Sequence, residues 1–335
     1  MTPHVVEIRT PRDAARVYWV GHSLMNCGDR SVADSDNVME LVGKLARSRS
    51  QSYAYYDHTH WGSALYFNWQ GSSHGEKRDD SKPRADRAYL SKHGGEYDTF
   101  VFTEVVPIET ALDWAYSKYY LRKFYCEALA HNPDAELFLY TTWNNAQPDS
   151  PDALDFEAQL RANRKFWEEL ADDSLSDRVA NPGRLGRWLA YLGVRDKHCA
   201  AAKAFRFIPA ASAMLALSME LSTLGERAPR LETGRSMTMG DVFVNMYTNW
   251  DEVRRGEAST LTLRHPDLAH DDIHQSALGS YFVALVAYAT IYGTDPTGLP
   301  PLNDVPDNVA ALLQRVAWKT VTSDPRSGVA PRGGR

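Results

Sequence analysis

Short apolar runs alternate with amphipathic stretches along this chain. Val17-Tyr18-Trp19-Val20 is β-branched and aromatic throughout, which predicts a buried parallel strand. Gly21 frees the backbone to turn, and Ser23 falls just past the strand's carboxyl end. Val38, Leu41, Val42 and Leu45 then share one helical face. Further strands are predicted over 51–57, 97–106, 136–143 and 204–209, and helices over 114–130, 153–170 and about 211–224. Residues 71–87 are Gly/Ser-rich and charged and read as a surface excursion, while 172–197 carries no clear period. Near the end an almost wholly apolar helix holds Phe282, Leu285, Val286, Tyr288 and Ile291. Ser276 is its natural N-cap and Gly293 its natural stop. Strands alternating with helices predict a parallel sheet covered on both faces.

No internal repeat and no linker divides the 335 residues. The expectation is one domain over 1–335, with insertions at about 70–95 and 145–200 and a mobile tail over 324–335. At 43% hydrophobic and 24% charged, the composition is that of a globular protein with a sizeable core. A net charge of -6 argues against nucleic acid or an anionic membrane as partner, and no stretch is apolar enough to span a bilayer. Residues 1–10 lack the apolar core of a signal peptide, so a cytoplasmic location, or secretion with the leader removed, both stay open. Cys27, Cys126 and Cys199 are few, odd in number and far apart, and predict no disulfide framework. Oligomeric state is not readable.

The candidate chemistry joins the two ends of the chain. The sequence His270-Asp271-Asp272-Ile273-His274-Gln275-Ser276 places His274 just before the N-terminus of the apolar helix. The partial positive charge there favours a neutral imidazole able to accept a proton. Asp271, three residues earlier, can reach the other ring nitrogen and fix the tautomer. A serine hydroxyl needs a base, and the base needs an orienting group. Ser23, His274 and Asp271 supply these three chemical types.

This combination resembles the SGNH (GDSL-like) hydrolase superfamily. Gly21-His22-Ser23-Leu24 resembles its first block, with His22 in place of the aspartate, and Trp61-Gly62-Ser63-Ala64 matches the glycine block in position and context. Asp271-Asp272-Ile273-His274, followed by Ser276 and Gly279, resembles the last block, and the resemblance spans roughly residues 16 to 296. It implies a flavodoxin-like three-layer α/β/α sandwich with about five parallel strands. It also implies a serine esterase, acetylesterase-like, that acts on a small-molecule or carbohydrate ester without metal or organic cofactor. Ser23 is then the nucleophile, His274 the base, Asp271 its orienter, and the Ser23 and Gly62 amides the oxyanion hole. The family's Gly-x-Asn-Asp block is missing: the third strand ends Phe102-Thr103-Glu104-Val105, and an ionised Glu104 cannot donate to an oxyanion. Two backbone donors suffice, or Asn68, Asn144 or Asn145 substitutes, or Glu104 is held protonated or serves substrate binding. The departure leaves open a weak or inactive carbohydrate- or protein-binding relative, or an acyltransferase.

His22, Trp61, Glu104, Trp143 and Asn144 are the substrate-binding candidates. The pair His58 and His60, with His74 and His93 further on, suits one face of a strand and invites a metal reading. No Cys, Asp or Glu stands at a convincing spacing from them, so the expectation is no metal and histidines that flank the cleft ahead of Gly62. Most of the aromatics, including Tyr53, Tyr55, Tyr56, Tyr66, Phe67 and Trp69, read as core.

Overall fold

The computed structural model describes residues 6–26, 36–71, 81–144, 153–176, 179, 199, 203–243 and 273–331. Five parallel strands form one sheet: β1 (Ala14–Gly21), β2 (Ser52–Thr59), β3 (Thr99–Phe102), β4 (Glu136–Tyr140) and β5 (Arg206–Ile208). Their spatial order is β2-β1-β3-β4-β5. The chain therefore reverses direction across the sheet between β1 and β3, where α/β sheets bind ligands at their carboxyl ends.

The helices are α1 (Ser23–Asn26), α2 (Val38–Ser48), α3 (Leu65–Gln70), α4 (Ser81–His93), α5 (Ile108–Trp114), α6 (Ser117–His131), α7 (Ala153–Ser174), α8 (Ala210–Leu224), α9 (Ala277–Tyr292) and α10 (Asp307–Ser323). Alternate strand residues enter two separate cores. Val17, Trp19, Val101, Phe138, Tyr140 and Ile208 pack with α2, α8, α9 and α10 on one face. Tyr18, Val20, Phe100, Phe102, Leu137, Leu139 and Phe207 pack with α6 and the far half of α7 on the other. This is the expected α/β/α sandwich. α9 lies at the centre of the first core, with every residue from Gly279 to Tyr292 buried, as its unbroken apolar sequence requires.

Register aligns the strand ends. Gly21 lies opposite Thr59, Val20 opposite Phe102, and Phe102 opposite Leu139. The residues just beyond β1, β2 and β3 therefore emerge side by side on one edge. Gly21 is needed there for space, because a Cβ on it would sit 2.5 Å from Thr103 Cγ2 and 2.9 Å from Met25 Sδ. Among the described residues no helix is long and apolar enough to cross a membrane.

Several expectations need revision. The long helix expected over 114–130 is two helices, broken at Tyr116, which takes a left-handed backbone (φ 52°). The charged excursion expected over 71–87 runs into α4, whose Asp86 and Leu90 are buried. Cys126 and Cys199 form a disulfide with Cα atoms 5.5 Å apart, so distance along the chain was a poor guide to pairing. Cys27 lies outside the described residues. The tail, as far as Pro331, packs on the sheet edge: Phe207 N–H donates to Arg326 O (2.8 Å), Arg9 N–H donates to Gly328 O (3.0 Å), and the Arg326 guanidinium grips Asp172. Of the two expected insertions, the described stretches are α4 and α7, both layered onto the sheet.

Candidate active site

Ser23 opens α1 two residues beyond β1 and is 7% exposed. His274 arrives from the other end of the chain, and its Nε2 lies 2.7 Å from Ser23 Oγ. That is the distance of a good hydrogen bond between a hydroxyl and the nitrogen that takes its proton.

The backbone on either side of His274 is held firmly. Trp143 Nε1–H donates to Ile273 O (2.8 Å). Gln275, fully buried, donates from Nε2 to Leu24 O (3.0 Å) and pairs in a short antiparallel bridge with Phe243. Ser276 N–H donates to Val242 O (2.9 Å), and the Ser276 side chain caps α9 by accepting from Gly279 N–H (3.1 Å). Leu24 O also accepts from the buried Tyr140 hydroxyl (3.2 Å). The Gln275–Leu24 bond ties the histidine's segment to the residue next to the serine, so the two reacting groups share one local scaffold. Sequence reasoning overlooked Gln275; its signal is an amide side chain between the histidine and the N-cap, in an otherwise apolar setting.

The Trp61 indole stacks on the His274 imidazole, with ring centroids 5.4 Å apart and planes 24° apart. Gly62 follows in a left-handed conformation (φ 61°) with open space where a Cβ would point. Its N–H and that of Ser23 make no hydrogen bond among the described residues. Asp271 and Asn145 lie outside the described residues.

The remaining candidates turn out to be supports. His22 is buried: its Nε2–H donates to Glu104 O (2.9 Å), and its Nδ1 accepts from Leu24 N–H (3.4 Å). Burial lowers its pKa to about 4, so the ring is neutral and braces the turn around Ser23. Trp143 is fully buried beneath the His274 segment and does not wall a cleft. Asn68 is spent as a clamp, donating to Gly21 O (2.9 Å) and accepting from Ser63 Oγ (3.0 Å). Asn144 turns its amide toward the Glu109 carboxylate, 3.4 Å from both oxygens.

Glu104 is entirely buried. Its Oε1 accepts from Leu65 N–H (3.1 Å) and Val105 N–H (2.8 Å), which anchors the segment after Gly62 to the end of β3. Burial raises its pKa to about 7 against these hydrogen bonds. A carboxyl held more strongly as the acid in the folded state stabilises the fold fully below its unfolded pKa of about 4.5 and loses that contribution as pH rises through about 7. Glu104→Gln keeps an acceptor for both amides and has no proton to lose. Its unfolding free energy relative to the parent should therefore climb between pH 4.5 and 7, by on the order of 3 kcal/mol. Urea melts of both proteins across that range check this. Taking the difference removes the opposing terms from His22 and other buried histidines.

Trp143→Phe removes the donor to Ile273 O while keeping an aromatic ring. It is expected to cost about 1–3 kcal/mol. It should also slow any reaction that uses His274 more than it changes substrate affinity, a split that steady-state kinetics resolves.

A groove of about 700 Å³ lies between α7, α8 and α10, lined by Leu160, Leu215, Met219 and Val316 among others. None of its residues belongs to the Ser23 site.

The sequence matches no protein-family model and no curated protein. Solved structures that resemble the fold at low identity include two with informative descriptions. A DUF4886 family protein from Bacteroides uniformis is 13% identical, with a TM-score of 0.47, covering 92% of this chain and 95% of that one. A "putative GDSL-like lipase" from Parabacteroides merdae is 12% identical, with a TM-score of 0.38, covering 86% and 99%.

Proposed function

We propose that this protein is a serine ester hydrolase of the SGNH type. The observation that carries the reading is the 2.7 Å hydrogen bond between Ser23 Oγ and His274 Nε2, made across the carboxyl edge of the sheet. As Ser23 Oγ attacks the acyl carbon, its proton passes to His274 Nε2 and the carbonyl π electrons move onto oxygen. The amides of Ser23 and Gly62 receive that oxyanion. Collapse breaks the bond to the alcohol oxygen, which takes the proton from His274. Water, deprotonated by His274, then releases the acid and regenerates the serine. Asp271 is assigned the orienting role on the sequence pattern.

Two backbone donors, with no side-chain third among the described residues, predict a modest rate, since one lost donor costs about 2.7–4 kcal/mol in a comparable hole. A short acyl group on a small alcohol or sugar is the proposed substrate, with Trp61 beside it. The test is turnover of p-nitrophenyl acetate by the parent and by Ser23→Ala. Turnover by the parent alone supports the reading. Equal rates contradict it, and no turnover by either, with ligand binding retained, favours a binding role.

A further inference from the structure

The end of β2, the residue after it and the middle of α4 bring together three side chains that the hydrolytic site does not use. His58 is fully buried, and His60 and Asp86 nearly so. One ligand-capable atom of each lies within 4.8 Å of the other two. His58 Nε2, His60 Nε2 and Asp86 Oδ2 are all buried without a hydrogen-bond partner. His60 Nε2 and Asp86 Oδ2 are 2.9 Å apart, yet they are not aligned as a hydrogen bond. Three such groups gathered in one buried space, with only an unaligned His60–Asp86 contact between them, are a cost that buried sites rarely carry unless something fills the space.

The surroundings orient the lone pairs. The Tyr18 hydroxyl donates to Asp86 O (3.0 Å), so at its 3.1 Å contact with His58 Nδ1 the ring nitrogen is the donor. That tautomer leaves His58 Nε2 unprotonated, with a lone pair able to bind a metal. The Tyr56 hydroxyl donates to Asp86 Oδ1 (2.8 Å), which leaves Oδ2 for the cluster. Such outer contacts are what fix ligand side chains around a metal. The nearby cation is already engaged: Arg87 pairs with Glu127 (3.2 Å) and stacks on Trp69 (3.8 Å). The Asn68 backbone carbonyl also lies by the His58 ring, where it would accept from the other tautomer.

We propose that His58, His60 and Asp86 bind a single divalent transition-metal ion of the zinc type. Two nitrogens and one carboxylate oxygen are a donor set that zinc accepts at about 2.0–2.2 Å, with a further position for water. Ligands at that distance stand roughly 3.3 Å apart, so shifts of up to about 1.5 Å reach that spacing, with the His60–Asp86 pair opening from 2.9 Å. The ion pins α4 to the end of β2, immediately ahead of Trp61 and Gly62. The sequence expectation was no metal; the carboxylate of this cluster comes from α4, out of reach of any spacing read along the chain.

The test uses tag-free full-length protein, zinc and Co(II) as probes. The parent should retain zinc through gel filtration at about one ion per chain, bind Co(II) with the visible bands of a low-symmetry nitrogen/oxygen site, and melt at a lower temperature after chelation, recovering when zinc is restored. Asp86→Asn and His60→Ala should lose both the ion and the melting response, whereas His93→Ala, whose ring pairs with Glu96, should keep them. A metal-free parent whose melting is indifferent to zinc and which gives no Co(II) spectrum overturns the proposal. So does undiminished binding by Asp86→Asn. Should either variant fail to fold, the stoichiometry and Co(II) spectrum of the parent still decide.

Discussion

Replacing Ser23 with alanine is expected to abolish the proposed ester turnover and to leave the fold intact. The side chain is small, and its one hydrogen bond among the described residues goes to His274, so little stability is at stake. Loss of the nucleophile should lower kcat by roughly 10⁴-fold or more, and His274→Ala should cost about as much. The double variant should be no worse than either single one, because the two groups act as one unit. Asp271→Asn should cost less than either, since an orienter does not react. Rates on p-nitrophenyl acetate, with circular dichroism to verify folding, measure all four.

The second large effect lies at Gly279, in the first turn of α9. A Cβ there would sit 2.0 Å from Val242 O and 2.9 Å from Gln275 Cβ. Ordinary carbon–oxygen contact needs more than an ångström of extra room, and the obstacle is backbone. Gly279→Ala must therefore push α9 from Val242, straining the Ser276 N–H to Val242 O bond and displacing Gln275 and His274 with it. The gain in helix propensity, about 1 kcal/mol, is outweighed by overpacking of about 1–3 kcal/mol or more. Activity should fall roughly 10²-fold, the usual consequence of a misplacement near an ångström. A melting curve and a kcat measurement test both halves. A variant with unchanged kcat would show that the contact does not position His274.

Much of this architecture was legible because local signals agreed. The apolar run of β1, the turn at Gly21, and the N-cap and stop of α9 each follow from short-range chemistry, and strands alternating with helices define the sandwich. The pairing of Ser23 with His274 was legible as two halves with complementary chemistry. What escaped depends on contacts between elements. Glu104 stands at a strand end, where a polar residue reads as facing the cleft, but Leu65 and Val105 draw its carboxyl inside. Trp143 follows β4, yet its indole finds Ile273 O and becomes a strut. α4 carries no apolar stripe, so nothing in its sequence marks Asp86 as buried beside two histidines. α10 was not read at all, although Val309, Leu312, Leu313, Val316, Ala317 and Val321 form its buried face.

The central claim is that His274 makes the Ser23 hydroxyl reactive. Intact-mass spectrometry after incubation with a fluorophosphonate tests it most directly. The parent should gain one adduct, mapped by peptide sequencing to Ser23, while Ser23→Ala gains none and His274→Ala reacts far more slowly. An unlabelled parent, or an adduct on another residue that persists in Ser23→Ala, would contradict it.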